Sequence, residues 1–123
     1  MRYKLLVVDD SMIIRNHITR LMADPRLPKI EIVGLASDGE KALAAALEHR
    51  PDCITMDLTM PNMDGEACIE QISKLLPDAR ILVVSALADK ATALRALTKG
   101  AQGFLHKPFT DDQLVESLLE LMK

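Results

Sequence analysis

The chain has 123 residues, is 49% hydrophobic but only 2% aromatic, and carries a formal charge of −3. This is one domain's length, residues 1–123 with no room for a second, and it can bury roughly two-thirds of its unfolded surface in a core of Leu, Ile, Val, Ala and Met. No basic stripe announces nucleic acid, and the longest apolar run, Ala42–Leu47, is far short of the ~18 residues of a membrane span.

Asp9 and Asp10 interrupt the N-terminus too early for a signal peptide. Cys53 and Cys68 lie in apolar surroundings without metal or redox spacing, and read as reduced core residues of a cytoplasmic protein.

Short, nearly continuous apolar runs predict strands at Tyr3–Val8, Ile30–Ala36, Cys53–Met56, Arg80–Ser85 and Gly103–His106, each covered on both faces. Helical patterns lie between them. Ile14, Ile18, Leu21 and Met22 form the first stripe, which ends at Pro25. Ser37–Glu40 reads as a capping box opening a second helix that Pro51 stops. Ile69, Ile72 and Leu76 mark a third, closed by Pro77. Leu94 and Leu97 are the expected anchors of a fourth, ending at Gly100. A fifth runs from Thr110, an N-cap candidate, to Met122.

Strands alternating with helices imply a doubly wound parallel α/β sheet with right-handed crossovers. Ligands of such sheets sit beyond the carboxyl ends of the strands. There the sequence places Asp9 and Asp10, Asp57, Ser85, and Lys107 before Pro108. Singly these have bland readings: Asp10 or Ser11 as a helix cap, Asp57 as a turn acid, Lys107 as a solvated side chain. Jointly they describe a site. Carboxylates ~4 Å apart repel by about 4 kcal/mol per pair at an effective dielectric of 20, so a fold that gathers three needs a cation. All-oxygen donors favour Mg²⁺, with Mn²⁺ the alternative. Lys107 adds a point charge for a tetrahedral anion, and a carboxylate in such a site can act as nucleophile.

"VVDDS", "MDLTMPNMDG", "VVSA" and "KPF", in this order and spacing, resemble the receiver domain of bacterial two-component response regulators. The resemblance implies a flavodoxin-like (CheY-like) five-stranded parallel sheet of order 2-1-3-4-5 flanked by five helices. It implies that Asp57 accepts a phosphoryl group from a phosphohistidine on a sensor histidine kinase or phosphotransfer protein. Asp10, Asp57 and the main-chain carbonyl of Thr59 would ligate Mg²⁺, with Asp9 acting mostly through water and Lys107 pairing with the phosphoryl group. Ser85 and Phe104 would be the switch, read on a face made by helix four, strand five and helix five. Thr59 and Leu87 occupy positions that tune phosphate lifetime. Such a protein is not an enzyme beyond its own phosphorylation and dephosphorylation.

The sequence looks most like single-domain chemotaxis regulators of the CheY type, which bind the flagellar motor switch. The alternatives are a phosphorelay intermediate, and a receiver from a transcription factor or chemotaxis methylesterase, whose strand-four loop also tends to read Ser-small-Leu. From other classes come a phosphorylation-independent binding module and an aspartyl-phosphate phosphohydrolase; the latter wants Asp-x-Asp, which Asp57-Leu58-Thr59 lacks. A monomer is expected, with dimerisation on phosphorylation an open outcome. His106 is expected to be an ordinary strand-end histidine. The broad apolar arc of the fifth helix, Leu114 to Met122, leaves open whether its margin is core or partner surface.

Overall fold

The computed structural model describes residues 2–87 and 89–123. The elements alternate without exception: β1 (Arg2–Val8), α1 (Met12–Leu21), β2 (Lys29–Ala36), α2 (Gly39–His49), β3 (Cys53–Met56), α3 (Gly65–Leu75), β4 (Arg80–Ser85), α4 (Lys90–Lys99), β5 (Gly103–His106) and α5 (Asp111–Leu121). The strands form one parallel sheet, as their alternation with helices predicts, in the order β2-β1-β3-β4-β5 that the family resemblance implies.

Alternation of side chains across the pleat divides the core in two. Leu6 and Val8 of β1, with Ile54 and Met56 of β3, face Ala42, Ala46, Cys68, Ile69, Ile72 and Ala96 from α2, α3 and α4. Leu5 and Val7, with Leu82 and Val84 of β4, face Ile18 of α1 and Leu114, Val115 and Leu118 of α5. Both faces are therefore covered, which explains why the strands read as unbroken apolar runs. Cys53 and Cys68 are buried free thiols, and burial raises their pKa values to about 11 and about 12.

Two expectations are corrected and one open question is decided. The second helix is capped by Asp38, whose side chain accepts from Lys41 N, rather than opened by Ser37. In α4 the buried residues are Thr92 and Ala96, whereas Leu94 and Leu97 are 61% and 44% exposed. A small face lets α4 lie close to the sheet and α3, and this turns the leucines outward. In α5, by contrast, Leu114, Val115, Leu118 and Leu121 are buried, and Leu119 and Met122 pack partly against them. The apolar margin open to solvent is on α4, not α5.

Candidate phosphoacceptor and cation site

The strand ends are brought level by main-chain hydrogen bonds that run one residue past the strands. Asp9 N donates to Ala36 O, Asp57 N to Val8 O and Lys107 N to Ser85 O. This ladder is why residues far apart in sequence meet at one edge. One carboxylate oxygen each from Asp9, Asp10 and Asp57 lies within 4.8 Å of the others. Asp9 and Asp57 are buried and Asp10 is exposed, so the cluster opens outward on the Asp10 side.

The three acids are engaged differently. Asp9 Oδ1 accepts from Ser11 N at 2.9 Å, and its Oδ2 accepts from Lys107 Nζ at 2.6 Å. Both Asp9 oxygens are therefore occupied. Asp57 receives only a long bond from Thr59 N, at 3.4 Å, and stands 3.8 Å from Lys107 Nζ. The Asp10 carboxylate has no hydrogen-bond partner among the described residues. Ser11, not Asp10, caps α1, accepting from Ile14 N at 3.3 Å. That removes the bland reading of Asp10.

Asp57 has its pKa pushed up to about 6, first by burial, then by the Asp9 charge, with Asp10 adding a little; Lys107 and the Thr59 N–H oppose the rise. A cation at the edge would relieve this unfavourable charge, and oxygen donors at this spacing suit Mg²⁺. Asp10 and Asp57 offer the unengaged oxygens, whereas both oxygens of Asp9 are already bonded.

The neighbouring side chains take stated places too. Ser85 is 1% exposed, and its Oγ accepts from Leu87 N at 3.1 Å. Leu87 itself is 44% exposed. Phe104 is half-buried against the α2–α4 side of the core. Exposed Thr59 follows Asp57 by two residues. His106 is exposed beside Ala86 O. The Lys107–Pro108 peptide is cis. Gly65 is required at the start of α3, because a Cβ there would lie 2.2 Å from Asp57 O.

Sequence reasoning passed over Arg15, which donates from Nη1 to Asp9 O at 2.6 Å. The helix thus reaches back to fix the carbonyl of the turn that presents both acids. A basic residue in the first turns of a helix following paired acids was the available signal.

The fold and the acid cluster define a doubly wound domain with three carboxylates gathered at one edge of its sheet. The chain belongs to the response regulator receiver domain family, whose description matches residues 5–119. It is CheY-like: the chemotaxis protein CheY of Listeria monocytogenes is 37% identical over 120 residues, covering 98% of both chains. The glutamate methylesterase/glutaminase 3 of Myxococcus xanthus is 44% identical over 108 residues, 85% of this chain but 30% of that protein. Among solved structures, CheY in the Borrelia burgdorferi CheX–CheY–BeF3–Mg²⁺ complex superposes with a TM-score of 0.92 at 29% identity, covering 98% of this chain and 90% of that one. The response regulator domain of Thermotoga maritima CheB gives 0.85 at 35% identity, covering 98% and 92%. Among the described residues, no helix is long and apolar enough to cross a membrane.

Proposed function

We propose that this protein is a phosphoacceptor regulator of a two-component chemotaxis pathway, acting in the cytoplasm, with Asp57 the residue phosphorylated. The observation that carries this reading is the setting of Asp57. Of the two buried acids in the cluster it is the one left nearly free, held by one weak hydrogen bond, with an ammonium 3.8 Å away.

The attacking group is an Asp57 carboxylate oxygen. It forms the new P–O bond while the P–N bond to the donor imidazole breaks, and the electron pair stays on the ring nitrogen. Asp10, Asp57 and the Thr59 carbonyl would hold a Mg²⁺ ion, with Asp9 in support, and the ion would supply positive charge to offset the carboxylates and the incoming phosphoryl group. Lys107 then has a phosphoryl oxygen to pair with in place of Asp9. Ser85 Oγ is the hydroxyl nearest in sequence to such a group on β4. Its movement would release Leu87 N and pass the change to Phe104 and α4. Thr59 and Leu87 flank the path of an attacking water and tune the lifetime of the acyl phosphate.

The donor is a histidine kinase or phosphotransfer protein, and the output partner is a flagellar motor switch protein. A second reading, the receiver of a methylesterase, is favoured by the 44% identity to the Myxococcus protein. The test is incubation with Mg²⁺ and acetyl phosphate or phosphoramidate, followed by intact mass and size-exclusion chromatography. One phosphoryl increment, absent from Asp57→Asn, supports the reading. An unmodified chain would move it to a phosphorylation-independent binding module.

A further inference from the structure

Residues 57–64, which join β3 to α3 and include Thr59, are gripped from outside. Asp38 is only 6% exposed although it stands at a helix start. Its Oδ1 caps α2 by accepting from Lys41 N at 2.8 Å. A cap needs only one oxygen. The other, Oδ2, accepts from Asn62 Nδ2 at 3.0 Å, 24 residues along the chain. Asn62 adopts φ 69°, a left-handed conformation that Asn tolerates better than most residues.

The next residue on each side repeats the contact through the backbone. A Cβ on Gly39 would fall 2.0 Å from Met63 O, so the start of α2 and the loop touch main chain to main chain. Cys68 Sγ donates to Gly39 O at 3.5 Å and ties α3 to the same point. Hydrogen bonds to Asp38, from Lys41 N first and then Asn62, hold its carboxyl below the ordinary range. Asn62 thus meets an acceptor that stays charged.

We propose that the Asp38–Asn62 pair is a clamp that positions the β3–α3 loop, and with it the Thr59 carbonyl, for cation binding. Asp38 and Asn62 are positioning residues, acting through Thr59 rather than touching the reacting atoms. The inference rests on the reading of the cation site given above. Its physical content is preorganisation: a main-chain ligand on an unheld loop must be ordered at each binding event, whereas a clamped one is in place beforehand.

Three variants test it. Asp38→Ser keeps a good cap but removes the second oxygen. Asn62→Gly removes the partner and keeps the left-handed backbone accessible. Asp38→Asn is the conservative control, since the Asn62 amide can turn round and accept from the new one. The readouts are Mg²⁺ affinity by calorimetry and amide hydrogen exchange over 58–64 in metal-free protein. Asp38→Ser and Asn62→Gly should each weaken Mg²⁺ binding by about tenfold, as losses of ligand-supporting contacts do, and both should speed exchange in the loop. Together they should cost little more than either alone. Asp38→Asn should stay near wild type on both counts. Wild-type binding with unchanged affinity in Asp38→Ser and Asn62→Gly overturns the clamp. No Mg²⁺ binding by the wild type overturns the cation site instead. The metal-free exchange then decides the clamp alone: faster exchange supports it, and unchanged exchange removes it.

Discussion

Lys107 lies closer to Asp9 than to Asp57: its ammonium is 2.6 Å from Asp9 Oδ2 and 3.8 Å from Asp57 Oδ2. The lysine therefore occupies Asp9 and leaves Asp57 nearly free. In Lys107→Ala, Mg²⁺ should bind at least as tightly as in wild type at pH 8, where Asp57 is ionised. At pH 6 binding should be weaker, because losing the Lys107 charge lets the Asp57 pKa rise above its present value of about 6. Calorimetric titration at the two pH values reads both effects. Weaker binding at pH 8 would mean that Lys107 helps to hold the metal.

Asp57→Asn removes a buried charge as well as the carboxylate proposed to accept the phosphoryl group. The folded pKa of about 6 lies above the ordinary carboxyl value of 3.8, so the native state binds the proton more tightly than the unfolded chain. This contribution is therefore lost as pH rises from about 4 through 6, and the full cost is about 3 kcal/mol, two pKa units' worth. Metal-free Asp57→Asn should be more stable than wild type by up to that amount at pH 7.5 and nearly equal to it at pH 4. Urea unfolding of both proteins across this range gives the difference directly.

Asp10→Ala should weaken Mg²⁺ binding by tenfold or more, a loss at least as large as that for supporting contacts. In wild type the proton on Asp57 competes with the metal, so affinity should fall by about a factor of ten per pH unit below 6 and level off above it. Equilibrium dialysis at several pH values tests both. An Asp10→Ala variant with wild-type affinity would exclude Asp10 from the site.

The outward leucines of α4 should matter little to stability. Leu94→Ala and Leu97→Ala are expected to cost under about 0.5 kcal/mol, the range of exposed positions. Leu118→Ala, at a site with 0% exposure, should cost about 2–5 kcal/mol. If Leu94 and Leu97 belong to a partner surface, the same two variants should lower partner affinity while melting like wild type.

Thr55, 1% exposed on the central strand β3, has a buried Oγ1 without a hydrogen-bond partner among the described residues. Thr55→Val keeps the shape and removes the unsatisfied hydroxyl, so it should raise stability by about 1–2 kcal/mol. A loss of stability on thermal unfolding would show that the hydroxyl is satisfied in solution.

The parts of the fold with one physical cause were legible in sequence. Strands covered on both faces must be apolar throughout, so β3, β4 and β5 were bounded to the residue, and β1 and β2 to within one residue at their starts. The acid cluster was legible because its members stand at those strand ends. Whether Leu94 and Leu97 face in was not, since a short helix packed through Ala96 and Thr92 has two possible inner faces and only close packing chooses between them. Nor was the cap in Ser37-Asp38, where two good capping residues adjoin and the burial of Asp38 decides. The bonds from Arg15 to Asp9 and from Asn62 to Asp38 join loops to helices without any periodic signal.

The bond from Lys107 to Asp9 spans 98 positions. It closes a circuit from the first strand to the turn after the last one. In a chain ending before Lys107, any pairing of β1 with β3 would bring three acids together with no built-in ammonium to offset them. Mutual repulsion would then work against the centre of the sheet. The charge balance of the acid cluster thus depends on the turn after the last strand as much as on the first.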